Sequence, residues 1–294
     1  MKRVFSILAF LLCVLVVNAQ TDNIVRKQSR KRTTMQTTTA AKKQTTTTKP
    51  ANKTSATTSS TNSNRQRILQ ELADNMVYVQ GGTFTMGATD EQGSEAYDRE
   101  KPAHNVTLSS YYIGKTEVTQ ELWQAVMGSN PSNFKGDRKP VECVSWNDCQ
   151  TFISKLNSLT GKNFRLPTEA EWEFAARGGI KSKGYKYSGS NTLGDVAWYD
   201  GNSSETTHDV GTKSPNELGL YDMSGNIWEL CNDWYGNYIS SPSNNPTGPG
   251  SGAYRVFRGG SWISIAGYCR SSNRGYDSPD NRDYNLGLRL CLSE

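Results

Sequence analysis

The distribution of glycine divides this chain and limits how its larger part can fold. All 26 glycines follow Gln80, and so do the seven tryptophans. This glycine content exceeds the average of about 7% and predicts many tight turns packed by aromatic rings. Residues 68–294 are numerous enough for one domain with a single large core. No internal repeat, helical bundle or βαβ series is evident, so we predict one loop-rich α+β domain.

The first 19 residues have the pattern of a secretory signal peptide. Lys2 and Arg3 precede an apolar run from Val4 to Val17, and residues 17–19 (Val-Asn-Ala) offer a small-residue cleavage site. A lipoprotein signal at Cys13 is the alternative, but the bulky Leu12 and the continuing apolar run favour ordinary cleavage. We therefore expect a secreted or periplasmic protein without a transmembrane span.

Residues 20–67 differ in composition from the rest of the chain. They are rich in Thr, Ser, Gln, Asn and Lys, and from Thr21 to Arg67 eleven Lys or Arg residues face one acid. Such a segment cannot bury enough apolar surface to fold alone, which predicts a disordered cationic linker. The net charge of +5 thus combines a basic linker with an acidic domain. The linker is either a solvated spacer or a means of holding an anionic envelope surface; no nucleic-acid partner is expected.

Turn and capping signals predict the local elements of the domain. Three predicted helices start at a capping residue and end at glycine: from Thr119 to Gly128, from Asn147 to Gly161 with Asn147 and Gln150 as capping box, and from Thr168 to Gly178 with Thr168 and Glu171 as capping box. Alternating residues predict a hairpin of 76–79 with 83–86, and further strands at 106–108 and 111–113.

Several motifs that resemble functional sites have simpler structural interpretations. The triplet Trp146-Asn147-Asp148 resembles a lectin calcium motif, but at a helix start its polar side chains satisfy free backbone N–H groups. Glu169 and Glu171 lie in a first helical turn, where carboxylates are favoured. His104 is expected to make a structural hydrogen bond.

The spacing of the cysteines and the low histidine count argue against a zinc site. Only two histidines are present and no Cys-x2-Cys pair occurs. Five cysteines follow the signal peptide, at 143, 149, 231, 269 and 291. Export permits disulfides, but an odd count leaves at least one thiol unpaired.

Four separated blocks carry a family resemblance. They are Arg165–Glu173 (RLPTEAEWE), Gly219–Glu229 (GLYDMSGNIWE), Arg255–Trp262 (RVFRGGSW) and Asn285–Arg289 (NLGLR). Together they resemble the formylglycine-generating enzyme, or sulfatase-modifying factor, family. The resemblance implies a C-type-lectin-like α+β fold with little regular secondary structure.

The resemblance also implies a calcium site. Asp222 and Glu229 would supply side-chain oxygens, and Gly225 and Ile227 would supply main-chain carbonyls, which are the hard ligands that calcium prefers. The alternative is a turn closed by bonds from Asp222 to the backbone. The family's other calcium site does not transfer, because Val196 lies near one expected ligand position.

The copper site implied by the resemblance is incomplete. Counting from the Gly-Gly-Ser triplet, Ser261 matches an active-site serine, Ser264 the first copper-binding cysteine and Cys269 the second, with Trp228 as a further active-site position. Counting backward from Arg274 and Pro279 places Cys269 at neither cysteine position. Cu(I) prefers soft thiolates, and a serine hydroxyl does not replace one. Both alignments leave the pair incomplete.

Three interpretations of Cys269 remain open: a disulfide partner, with Cys231 as candidate; a reactive thiol beside Arg270; or a buried apolar residue. We favour a disulfide or a buried thiol.

Two functions follow from the sequence. The first is an exported binding or structural module that recognises a protein or an envelope polymer. The alternative is a copper-dependent oxidase that converts a cysteine of sulfatase precursors to formylglycine. The missing cysteine favours the module.

Overall fold

The computed structural model describes residues 56–293. The helices are α1 (Ala56–Asp74), α2 (Gln120–Met127), α3 (Trp146–Thr160), α4 (Glu169–Ala176) and α5 (Leu193–Val196). The strands are β1 (Met76–Val79), β2 (Gly82–Met86), β3 (His104–Leu108), β4 (Tyr111–Gly114), β5 (Phe164–Arg165), β6 (Trp228–Trp234), β7 (Ser243–Asn244), β8 (Arg255–Arg258), β9 (Arg274–Asp277), β10 (Leu286–Leu288) and β11 (Cys291–Ser293). The predicted signal peptide and linker residues 20–55 lie outside the described residues. No helix in this described part is long and apolar enough to cross a membrane.

Helix α1 overlaps the end of the predicted linker, which extends to residue 67. Residues 56–67 are helical, because the helix continues into a segment that docks on the domain. Ile68 is buried in the core, and Leu69 and Leu72 pack against the same cluster. Arg67 also donates to Glu121 on α2 at 2.8 Å. Composition alone missed this helix, since its apolar anchors occur only in its last two turns.

The other helix boundaries follow the capping chemistry, with one correction. Thr119 and Thr168 accept backbone N–H groups at the starts of α2 and α4, as predicted. Helix α3 is capped by Ser145, not by Asn147, because Ser145 and Asp148 form the capping box. The lectin-like triplet therefore belongs to a helix start. Left-handed Gly128 and Gly161 end α2 and α3.

Three small sheets form the framework, and their pairing overturns the predicted hairpin. The strand orders are β1-β4-β11-β5, β10-β6-β8-β9 and β2-β3-β7. Strand β1 pairs with β4 and β2 pairs with β3, so β1 and β2 belong to different sheets. The chain passes between them at Gly81, where a Cβ atom would lie 2.4 Å from the carbonyl oxygen of Leu108. Only glycine fits at this position, because a side chain would collide with that carbonyl.

Buried arginine–carboxylate pairs tie the C-terminal blocks to the rest of the fold. Arg270 pairs with Glu100, Arg274 with Glu169, Arg289 with Glu229, and Arg258 with Glu173. All eight residues are buried. Glu169 and Glu173 lie on α4, every residue of which is buried. These pairs fix the segments around residues 258–274 and 289, which position the candidate site.

Candidate functional site

The site is built on a turn that directly follows β8. Gly259 and Gly260 have φ of +98° and +77°, a region that favours glycine. A Cβ atom at Gly260 would lie 2.7 Å from the sulfur of Cys269. The amide of Gly225 donates to the carbonyl of Gly259 at 2.8 Å, which joins this turn to the Asp222–Glu229 segment. Two of the sequence blocks therefore meet at one place.

Ser261 and Ser264 form a closed hydrogen-bonded pair beside this turn. The backbone N–H of Ser261 donates to Oγ of Ser264 at 3.0 Å, and the two Oγ atoms are 3.0 Å apart. The amide of Ser264 in turn donates to the carbonyl of Ser261 at 2.9 Å. Both residues are buried. The Ser264 hydroxyl is thus hydrogen-bonded within the turn.

Cys269 is a buried, protonated thiol. It is 0% exposed and packs with Tyr187, Leu193, Val196 and Ala197. Burial raises the pKa of its thiol to about 12. Its sulfur lies 3.9 Å from the carbonyl oxygen of Ile265. At neutral pH this side chain is an apolar core residue with a weak donor.

The disulfide interpretation of Cys269 is wrong, and the surroundings of the thiol favour the buried apolar residue. All five cysteines among the described residues are free thiols, so the predicted bond to Cys231 is absent. Cys231 lies in a different apolar cluster, beneath α4. The adjacent Arg270 does not activate the thiol, because its guanidinium donates to both carboxylate oxygens of Glu100, at 2.6 and 2.7 Å.

Trp228 opens β6 and is half-buried next to an aromatic group. Its ring meets the ring of Phe257 edge-on at 4.8 Å and lies 6.3 Å from that of Tyr268. Tyr268 stacks on Tyr97 at 5.7 Å, and the Arg99 guanidinium lies 4.4 Å above Tyr97. Sequence reasoning missed Tyr97 and Arg99, since no motif connects residues 97–99 with residue 268.

The residues present do not fit Cu(I). Cys269 supplies one sulfur, while Ser264 supplies a hard hydroxyl that already bonds to Ser261. No step of a copper reaction can therefore be assigned to these side chains.

The predicted calcium ligands are adjacent in sequence, but Glu229 is committed elsewhere. Its carboxylate accepts from Nε1 of Trp172 at 2.6 Å and from Nε and a terminal nitrogen of Arg289 at 2.9 and 2.6 Å. Two positive or polar donors thus occupy the oxygens that the resemblance assigns to calcium. Trp172 and Arg289 both lie in the sequence blocks quoted above, but the sequence alone does not show that they contact Glu229.

A different carboxylate faces Asp222. One oxygen of Asp222 accepts from the amide of Gly211 at 2.7 Å, and the other has no hydrogen-bond donor within residues 56–293. Glu117 lies beside it, 2% exposed, and neither of its oxygens has a donor within that range. Burial, followed by the charges of Asp222 and Glu229, raises the pKa of Glu117 well above its usual value. Asp222 and Glu117 thus form a buried carboxyl pair, and a proton held by Glu117 can bond to Asp222.

The remaining motifs have structural roles. Glu169 and Glu171 pair with Arg274 and Arg165. His104 Nδ1 lies 3.1 Å from the carbonyl oxygen of Pro102, and its ring packs against Tyr238 at 4.8 Å. The predicted hydrogen bond of His104 is present.

The sequence and the fold are similar to those of known proteins. A family model described as "Sulfatase-modifying factor enzyme 1-like domain" matches residues 60–293. The chain is 34% identical over 273 residues to a "Chaperone protein LppX" of Paenibacillus barcinonensis, a match covering 76% of this chain and 91% of the relative. It is 33% identical over 284 residues to a formylglycine-generating enzyme of Streptomyces coelicolor, covering 73% of this chain and 88% of the relative.

Solved structures show the same fold. "Treponema denticola variable protein 1" superposes with a TM-score of 0.69 at 37% identity, covering 74% of this chain and 95% of that protein. PvdO from Pseudomonas aeruginosa superposes with a TM-score of 0.66 at 28% identity, covering 74% and 94%. Fold, sequence blocks and family model agree, and the chain belongs to the sulfatase-modifying factor enzyme 1-like (FGE-sulfatase) family.

Proposed function

We propose that this protein is an exported, non-catalytic member of its family that serves as a binding or structural module of the cell envelope. The main support is Ser264: counted from the Gly-Gly-Ser triplet it matches a copper-binding cysteine of the family, and its hydroxyl bonds to Ser261. A pocket with one sulfur donor cannot offer Cu(I) the two soft ligands of the family's oxidase. The signal-like N-terminus and the basic linker support the envelope location.

The state of Cys269 supports the same function. Metal ligation requires the thiolate, and burial raises the pKa of this thiol to about 12. Removing the proton from Cys269 costs free energy, and no second sulfur ligand is present beside it to offset that cost by binding the metal. Relatives with names such as chaperone protein and variable protein indicate that the fold also serves proteins not named as enzymes.

A peptide assay tests this proposal. The purified protein is incubated with Cu(I), oxygen and a Cys-x-Pro-x-Arg peptide, and the peptide mass is followed. We expect no change, because the second thiolate is absent. The Streptomyces coelicolor enzyme serves as the positive control. Conversion of the peptide cysteine to an aldehyde by this protein would overturn the non-catalytic function.

The alternative function is the formylglycine-generating oxidase itself, with a sulfatase precursor as partner. It is favoured by the retained positions Ser261, Trp228 and Cys269, and by the 33% identity to the Streptomyces coelicolor enzyme. The peptide assay separates the two functions directly.

A calcium site is also proposed here, but with ligands that differ from those implied by the family resemblance. We propose that the free oxygen of Asp222 and the carboxylate of Glu117 hold the ion, while Glu229 stays paired with Arg289. A cavity of about 240 Å³, lined by Glu117, Gly211 and Tyr221, gives access to this place. Main-chain carbonyls and water would supply the remaining oxygens.

Melting temperatures test the calcium proposal. A ligand at one hundred times its Kd stabilises by about 2.7 kcal/mol, which raises the Tm of a domain of this size by roughly 5–10 °C. We expect this shift between EDTA and excess calcium, and its loss in Glu117→Gln. Glu142→Gln, at another buried carboxyl with one unpartnered oxygen, should keep the shift. Equal melting temperatures with EDTA and with calcium in the natural protein would contradict the site.

A further inference from the structure

The segment from Tyr235 to Tyr254, here called the tyrosine loop, has an unusual composition. It contains no charged residue, and all but three of its residues are Tyr, Gly, Ser, Asn or Pro. Recognition loops are enriched in Tyr, Ser, Gly and Asn, because rigid rings supply contact area and small polar groups supply adaptable hydrogen bonds. None of the site residues described above lies in this loop.

Both ends of the tyrosine loop join an exposed cluster of rings. The ring of Tyr276, on the edge strand β9, lies 4.0 Å from Tyr235 and 5.3 Å from Tyr254. Tyr254 and Tyr276 are 46% and 44% exposed. Their hydroxyls and that of Tyr235 have no hydrogen-bond partner within residues 56–293. The cluster therefore offers flat apolar faces with free hydroxyl groups at their rims.

A cavity of about 350 Å³ lies beneath the loop. Its walls include Trp234, Tyr238, Pro246, Pro249 and Ile239, the last of which is 67% exposed. This volume is in the range of small-ligand pockets, which combine apolar walls with a few polar groups.

The polar groups at the base of the cavity carry no net charge at neutral pH. Arg274 pairs with Glu169, so their charges cancel. Burial, followed by the charge of Glu169, raises the pKa of Asp233 to about 8, which leaves this carboxyl mostly protonated. An ionic ligand would find no uncompensated partner here.

Small polar side chains of the loop are free to bind. Seven of them have no hydrogen-bond partner in the described part of the chain: Asn237, Ser240, Ser241, Ser243, Asn244, Thr247 and Ser251. Six are exposed and Ser243 is half-buried. Amides and hydroxyls both donate and accept, which suits a ligand that is itself covered with hydroxyl groups.

We propose that the tyrosine loop, the cavity beneath it and the neighbouring Tyr276 form a binding site for an uncharged polysaccharide. Sugar rings present apolar C–H faces that pack on aromatic rings, while their hydroxyls bond to the free amides and hydroxyls of the loop. The absence of charge in the loop and the balanced base of the cavity match a neutral polymer. This site rests on the proposed binding function and gives the partner its chemical class.

The loop and the basic linker would then recognise different ligands. Binding to an anionic polymer through Lys and Arg weakens steeply with salt, because the interacting charges are exposed and screened. Stacking and neutral hydrogen bonds depend little on salt. Salt dependence therefore separates the proposed site from attachment through the linker.

The test titrates the full chain with neutral hexasaccharides of glucose, mannose, xylose and N-acetylglucosamine. Tryptophan fluorescence reports binding, since Trp234 lines the cavity. We expect at least one hexasaccharide to bind, with a Kd that changes less than about twofold between roughly 50 mM and 500 mM NaCl. Loss of one stacking ring in Tyr254→Ala or Tyr276→Ala should weaken binding by about fivefold to tenfold.

Tyr78→Ala is the matched control. Tyr78 is 47% exposed and lies on β1, in a different sheet, so its loss should leave binding unchanged. The site is overturned if no hexasaccharide binds at millimolar concentration, or if Tyr78→Ala weakens binding as much as the loop variants. Binding confined to acidic polysaccharides or to proteins would overturn it too. None of these results affects the copper and peptide assays, on which the non-catalytic function depends.

Discussion

The Ser264→Cys variant is expected to bind one equivalent of Cu(I), whereas the natural protein binds none. Ser264 already lies in the turn that faces Cys269, and its hydroxyl is 3.0 Å from that of Ser261. The substitution places a second soft donor in the pocket, and two thiolates suit Cu(I). Even outer-shell partners change metal affinity by about 10–100-fold, so a restored direct ligand should raise affinity by more than about a hundredfold.

Competition with a chromophoric Cu(I) chelator, under anaerobic conditions, measures this difference. Ser264→Ala, which removes the hydroxyl without adding sulfur, should behave like the natural protein. Adding Cys269→Ala to Ser264→Cys should abolish binding again, because one sulfur then remains. Stoichiometric Cu(I) in the natural protein would contradict the degenerate site and restore the oxidase as the leading function.

Substitution of Arg270 by methionine is expected to destabilise the fold by about 3–5 kcal/mol, because it leaves a buried carboxylate without its partner. Arg270 and Glu100 are both 0% exposed. Two hydrogen bonds, at 2.6 and 2.7 Å, join them across 170 positions of sequence. Their pairing also lowers the pKa of Glu100 against the opposing effect of burial.

Arg282→Met is the matched control for this prediction. The Arg282 side chain is 54% exposed and pairs with Asp148, so its loss should cost less than about 1 kcal/mol. Urea unfolding of both variants measures the free energies. Adding Glu100→Leu to Arg270→Met should recover much of the stability, since the uncompensated charge is then gone. Equal effects of Arg270→Met and Arg282→Met would show that the buried pair contributes no more than a surface pair.

Elements governed by neighbours in sequence were predicted well. A side chain that caps a helix bonds to an amide two or three residues away, so Thr119 and Thr168 could be identified from local pattern. Left-handed glycine at the ends of α2 and α3 is equally local. The correction from Asn147 to Ser145 shows the limit, because two overlapping capping patterns differ only in which side chain turns back to the helix.

Elements governed by distant contacts were not predicted. The segments of β1 and β2 alternate as a hairpin would, yet each pairs with another strand. Helix α1 owes its position to contacts with α2, including the bond from Arg67 to Glu121. Local propensity contains no information about such partners, which is why tertiary packing overrides it.

The sequence by itself determined the family and the α+β class, because both depend on which residues occupy short stretches of chain. The tertiary structure alone decided the state of the side chains. Cys269 is buried in a different cluster from Cys231. Glu229 forms a salt bridge with Arg289, and Glu117 lies beside Asp222. Burial and charge pairing arise between residues far apart in sequence, and these set the chemistry of thiols and carboxylates.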